Sequence, residues 1–157
     1  VVDADDAPQK VAAVVQQQLQ KALPGLTITL KVEPKKQRVQ DMQDGNFQLG
    51  LTRWGPDYAD PMTYLGMWVT DNSNNYGLWS NSDYDKIIAE CTTGKLATDT
   101  QGRWDRLYDA EKIVMDDAVI FPLYTQCNAE MVSSKVTGIE YHPVALNRVY
   151  KDAVKSE

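Results

Sequence analysis

An α/β fold is the class this sequence predicts, and three observations carry it. Apolar residues recur at helical spacing near the start and in two longer stretches of the second half. Alternating or continuous apolar runs, the mark of strands, lie between those stretches, and Gly or Pro stands at most of the joins. The first half reads strand, helix, strand, helix, strand, which is the pattern of helices laid on a sheet. At 157 residues the chain suits one domain with a real core and is short for two. We therefore take residues 1–157 as a single α/β lobe.

Val1-Val2 reads as the stub of a strand that begins before this chain does. Asp6-Ala7-Pro8-Gln9 opens the first helix as a capping box, Asp6 accepting from the Gln9 backbone N–H while the Gln9 side chain reaches back. Val11, Val15, Leu19 and Leu23 follow four apart, and Pro24-Gly25 ends the helix. Thr27 to Val32 alternates as a strand. A short helix over Lys35 to Asp44 carries Val39 and Met42, with Gly45 as its stop. Phe47-Gln48-Leu49-Gly50-Leu51 alternates as a half-buried strand until Gly55-Pro56 breaks it.

In the second half, Asp60-Pro61 starts a short helix, Asp being a good N-cap and Pro suiting the first helical position. The polar run Asp71-Asn72-Ser73-Asn74-Asn75-Tyr76-Gly77 makes turns and offers amides. Ser80-Asn81 caps a helix whose Tyr84, Ile87, Ile88 and Cys91 form a core-facing stripe. A longer helix, about Thr100 to Asp116, places Trp104, Leu107, Tyr108, Val114 and Met115 on one face. Val119 to Tyr124 is an apolar strand whose Pro122 suggests an edge or a bulge. A further strand is expected near Asn128 to Val132, and the tail after Gly138 reads as irregular. There is no repeat, low-complexity tract or internal linker.

The net charge of −6 and the absence of a Lys/Arg cluster argue against a nucleic-acid partner. No apolar run approaches the roughly 20 residues that span a bilayer. Cys91 and Cys127 fit one disulfide of an extracytoplasmic protein and equally fit two buried thiols. His142 has no partner at metal-ligand spacing, so neither a metal nor another cofactor is expected. Phosphate-loop, dinucleotide, nucleophile-elbow and zinc-protease patterns are all missing. The pairs Asp5-Asp6 and Asp116-Asp117 lie at helix ends, where capping explains them better than acid/base chemistry.

One acid stands apart. Asp57 follows the Gly-Pro stop, three residues after Trp54 and beside Tyr58, with no capping duty that the pattern assigns. It is either a ligand contact in an aromatic setting or an Asx residue holding its own turn. Asp60, by contrast, reads as structural.

The order of Glu33-Pro34, Gly45-Asn46-Phe47, Trp54-Gly55-Pro56-Asp57-Tyr58-Ala59-Asp60-Pro61, Ser73-Asn74-Asn75-Tyr76, Tyr84-Asp85 and Ile120-Phe121-Pro122-Leu123-Tyr124 resembles the oligopeptide- and dipeptide-binding proteins of ABC importers, over nearly the whole chain. The resemblance implies one lobe of a two-lobed, periplasmic-binding-protein-like type II fold with a mixed sheet flanked by helices, and a chain that is the C-terminal portion of a longer protein. It implies an oligopeptide ligand, permease subunits as partners, and a periplasmic or extracellular location. A membrane would be met only through the permease or an anchor outside this chain, such as a surface lipid anchor. It also implies a binder, not an enzyme. Asp57 would pair with the peptide's α-ammonium, Trp54 would be a pocket wall, Asn74 would supply an amide contact, and Arg53 and Gly55 would line the cleft through backbone groups. Gly55-Pro56 replaces small or Cys residues of some relatives, so a pocket-side disulfide has no counterpart here. The rival readings are the same fold with another solute, such as an oligosaccharide or metal chelate, and a hydrolase with an unrecognised acid pair. The chain alone is expected to keep a core but to bind poorly, and its open strand edges are expected to pair with another copy.

Overall fold

The structure, a computed structural model, describes residues 1–127, 129–144 and 148–156. The chain packs as two compact units, one of Val1–Trp54 with Asp71–Leu78 and one of Gly55–Thr70 with Trp79–Glu157.

In the first unit β1 (Val2–Asp3) and β2 (Val32–Glu33) pair in parallel, with Val2 opposite Val32, and α1 (Asp6–Ala22) makes the crossover between them. On the other side of β1 the Val1 ammonium donates to Leu49 O at 2.7 Å and Leu51 N–H donates to Val1 O at 3.0 Å. Those two bonds are as far as the expected Phe47–Leu51 strand goes. Of the expected Val1-Val2 stub only Val2 is strand, as the start of β1, and it has its own chain on both sides. The expected strand from Thr27 also shortens, to Val32–Glu33, because side chains take its backbone groups. Gln16 Nε2 donates to Ile28 O at 2.7 Å, and Ile28 N–H donates to Gln20 Oε1 at 2.8 Å.

The capping box does not form. Asp5 is the N-cap, without a side-chain capping hydrogen bond, and the Gln9 side chain donates to Ala4 O at 2.6 Å. Asp6 lies already inside the helix, where its carboxylate meets Lys10 one turn on at 2.7 Å. The second helix, α2 (Lys35–Gln43), matches its expected span, and Gly45 closes it with φ +72° while Asn46 N–H donates back to Asp41 O at 2.8 Å. Its buried face holds Arg38 and Asp41 as well as Met42. Arg38 Nε donates to the buried Asp3 at 2.6 Å, and Lys31 reaches both Asp41 and Glu33. Ion pairs, besides apolar contacts, therefore join α2 to the strands.

The second unit owes its core to α4 (Ser82–Thr92) and α5 (Thr100–Asp116), with α3 (Met62–Leu65) beside them. Asn81 caps α4 by accepting from the N–H groups of Asp83 and Tyr84, and Asp99 caps α5 by accepting from Gly102 N–H. The core consists of Leu65, Tyr84, Ile87, Ile88, Cys91, Leu107, Ala110 and Val114. The Tyr84 ring meets Trp79 edge-on at 5.0 Å between centroids, and its hydroxyl donates to Leu65 O. The expected face of α5 is only half right. Leu107 and Val114 are buried, but Trp104, Tyr108 and Met115 are exposed. The buried positions 107, 110 and 114 follow the 3-4 spacing that meets α4, and Trp104, Tyr108 and Met115 fall on a second stripe that this packing leaves outside.

After α5 the residues expected as a strand, Val119–Tyr124, form none, and neither do 129–132; Asn128 lies outside the described residues. The tail is more regular than expected. β3 (Val136–Thr137) pairs antiparallel with β6 (Val154–Lys155), and β4 (Glu140–Tyr141) pairs with β5 (Arg148–Val149). Gly138, at φ +75°, makes the bend after β3 possible, since a Cβ there would lie 2.0 Å from Asp152 O. The α/β class holds, with its strands in ladders of two.

Two tests follow from this packing. Leu107→Ala should lower unfolding free energy by about 2–5 kcal/mol in urea titration, whereas Tyr108→Ala, one residue on but 69% exposed, should cost less than about 0.5 kcal/mol. Ala118 ends α5 at φ +51°, with Val119 N–H donating to Val114 O at 3.1 Å. A side chain is disfavoured in that conformation, so Ala118→Gly should raise stability by about 0.5–1 kcal/mol in the same titration.

Candidate functional site

The loop from Gly55 to Pro61 is short of regular structure but heavily tied down. Asp57 N–H donates to the buried Thr63 Oγ1 at 2.9 Å, and Asp60 N–H donates to Tyr58 O at 2.9 Å. Thr63 N–H returns to Asp60 O at 3.1 Å, and Met62 N–H donates to Asp60 Oδ1 at 2.9 Å. Asp60 therefore serves the start of α3 as expected, although Pro61 is the flanking residue.

Asp60 also has a partner that the sequence did not disclose. Arg103 of α5 grips it with both terminal nitrogens, Nη1 to Oδ2 at 2.7 Å and Nη2 to Oδ1 at 2.8 Å, while Arg103 Nε donates to Cys91 O at 2.9 Å. One guanidinium thus ties the loop to α4 and α5 in a bidentate pair. The Arg103 hydrogen bonds hold the Asp60 carboxyl below the usual aspartate range. Forty-three residues separate the two, too far for any helical or strand spacing to have paired them.

With its backbone fixed by Thr63, Asp57 is exposed, and its carboxylate has no hydrogen bond or ion pair among the described residues. It does not hold its own turn as an Asx residue, since the turn is closed by Thr63 and Asp60. Gly55 in the same unit has open space where a Cβ would be.

The remaining site residues lie in the first unit. Trp54 is 43% exposed, and Arg53 is exposed with Nη2 3.5 Å from Asp5 Oδ2. Asn74 donates its backbone N–H to Asn72 Oδ1 at 2.9 Å, leaving its own amide without a partner among the described residues, whereas Asn75 beside it is buried. The division between units falls after Trp54, so the structure groups Asp57 with Gly55 in one and Arg53, Trp54 and Asn74 in the other.

A cleft of about 450 Å³ in the second unit is lined by Tyr58, Asp60, Met62, Thr92, Arg103 and Trp104 among others. Its charged walls are already paired with each other, and Thr92 Oγ1 donates to Ile88 O at 2.7 Å. Both cysteines are free, Cys91 buried and Cys127 exposed. Burial pushes the Cys91 thiol up, away from the thiolate that a nucleophile needs. His142 lies 3.9 Å from Glu140, and no three potential metal ligands come together among the described residues.

The chain belongs to the bacterial extracellular solute-binding proteins of family 5, whose middle region matches residues 1–76. A dipeptide-binding protein of Lactococcus lactis is 36% identical over 150 residues, which is 95% of this chain and 27% of that protein. The substrate-binding domain of an oligopeptide ABC transporter from Bacillus anthracis superposes with a TM-score of 0.85 at 34% identity, covering 96% of this chain and 29% of that one. Listeria monocytogenes OppA bound to peptide gives 0.83 at 35%, covering 99% and 30%. The chain thus spans little more than a quarter of each relative's length.

The Asp60–Arg103 pair predicts a dependence on acid. A carboxyl whose folded pKa lies below its unfolded value near 3.8 contributes stability that is full above about pH 4–5 and is lost as pH falls through the lower, folded pKa. Asp60→Asn should therefore be less stable than wild type at neutral pH, and the difference should narrow as urea titrations are taken from pH 6 to pH 3.

Proposed function

We propose that this chain is part of the substrate-binding component of an ABC peptide importer, a longer two-lobed protein that takes oligopeptides into a cleft between its lobes and presents them to membrane permease subunits. The observation that carries the reading is Asp57, a carboxylate with a fixed backbone, an exposed charge and no partner among the described residues. Membership of a solute-binding family and the peptide ligands of the relatives support it. On this reading residues 1–157 are one portion of a lobe, the protein works outside the cytoplasm, and it binds without catalysing a reaction.

Every peptide with a free N-terminus carries an ammonium and a backbone, whatever its side chains. A receptor for mixed peptides can therefore take its affinity from one carboxylate and from main-chain hydrogen bonds, leaving the side-chain spaces roomy. Asp57 would supply the carboxylate. The Asn74 amide would bond the peptide main chain, Trp54 would wall the pocket, and Arg53 and Gly55 would offer backbone groups. A neutral oligosaccharide has no ammonium to pair with such an acid.

The test grafts the 157 residues in place of the matching region of the Lactococcus lactis relative and measures peptide binding by calorimetry. Removing one partner of a desolvated charge pair costs about 2–5 kcal/mol. Asp57→Ala should accordingly weaken a free dipeptide by about 30-fold or more, and change binding of the N-acetylated dipeptide, which has no cation, by less than about threefold. Equal losses for both ligands would remove Asp57 from the site.

A further inference from the structure

Val119 and Ile120 still pack against the core of the second unit, but from Phe121 the chain leaves it. Phe121 is 84% exposed, and Leu123 and Tyr124 are exposed beside it. No backbone–backbone hydrogen bond joins Phe121, Pro122, Leu123, Tyr124 or Thr125 to another described residue, and the one bond their backbone makes to a described side chain is local, Cys127 Sγ to Thr125 O at 4.0 Å. Chain this rich in β-branched and aromatic residues is suited to a sheet, and backbone groups of apolar segments are normally paired. The segment has strand composition and no ladder.

We infer that residues 119–125 are a strand whose partners are supplied by the part of a longer family member that these 157 residues do not include. The inference rests on the proposed function's view of the chain as a portion of a larger protein. Three features decide the kind of partner. The run Val119-Ile120-Phe121-Pro122-Leu123-Tyr124 is apolar without alternation, which is how a strand reads when both of its faces are covered; a second copy of this chain, meeting it edge to edge, would cover neither. The segment has no charged residue in a chain of net charge −6, so no charge in it opposes burial. And relatives with which the chain aligns end to end are more than three times its length, ample to hold the sheet and its covering layers. Pro122 cannot donate, so the neighbouring strand on its N–H side must lack an acceptor there or bulge. The partner is therefore an open sheet edge with apolar layers above and below.

Hydrogen exchange read by mass spectrometry tests this on the isolated chain and on the Lactococcus lactis graft. In the isolated chain the amides of Phe121, Leu123, Tyr124 and Thr125 should exchange at close to unstructured rates while those of α4 and α5 are protected. In the graft the same four should slow by about 100-fold or more. Phe121→Lys with Leu123→Lys should leave the melting temperature of the isolated chain unchanged and lower that of the graft by several degrees. Should the whole graft be insoluble, exchanging only Val119–Thr125 into the relative gives the same readouts. Fast exchange of these amides in a folded graft, or lysines there that cost it nothing, would overturn the strand. Peptide binding by the same graft reports separately on the proposed function, so either idea can fail without the other.

Discussion

The grip of Arg103 on Asp60 is the interaction on which the second unit's loop depends. Gly55 to Pro61 has no helix or strand of its own, and a loop without regular structure normally moves. Here one guanidinium closes two hydrogen bonds to the loop and a third to the end of α4, so the loop inherits the rigidity of the two helices that form the core. Thr63 adds a fourth fixed point by accepting from Asp57 N–H. The pair is only partly shielded from water. Its value is therefore as much geometric as energetic, because planar groups matched in two places leave the loop little freedom to rotate.

The first unit solves a different problem with similar means. Its strands are two residues long, too short for a ladder to hold them by itself. Charged side chains finish the work, with Arg38 bonded to Asp3 of β1 and Lys31 placed between Glu33 of β2 and Asp41 of α2. Buried ions need such pairing, since a lone charge there would lose its hydration without return. Glutamines of α1 do the same for the backbone of Ile28.

Helices were legible in the sequence where periodicity was strong. Tyr84, Ile87, Ile88 and Cys91 on α4 and the span of α5 stand as the spacing indicates, because both helices bury a stripe against each other. Strands were legible in kind but not in length: alternation reports which side of a segment is apolar, not whether a neighbour is present to bond it. The ion pairs were not legible at all. Arg38 and Asp41 look like solvated helix residues, and Arg103 looks like one more cation on a polar face, until the fold brings Asp3 and Asp60 to them. Of the site, Asp57 could be singled out because its neighbours gave it no structural duty, and the fold leaves its carboxylate without a partner among the described residues. How Arg53, Trp54 and Asn74 serve a ligand was read from family resemblance and stays a proposal.

Two acids three residues apart show why the distinction between them has functional weight. A carboxylate that accepts from both nitrogens of an arginine and from a helix N–H has little capacity left for a ligand, and its charge is balanced before any ligand arrives. Asp60 is in that condition. The proposed role of Asp57 needs a carboxylate held without being satisfied, and at Asp57 the backbone is fixed while the side chain is unpaired among the described residues. Were Asp57 anchored through its carboxylate, a cation would have to displace that bond, and the gain would shrink to the difference between two similar pairs. Were its backbone loose, ordering the loop would consume part of the attraction. On the proposed function, Asp60 and Arg103 would contribute to binding without touching a ligand, by keeping in place the acid of the loop whose carboxylate is unpaired among the described residues.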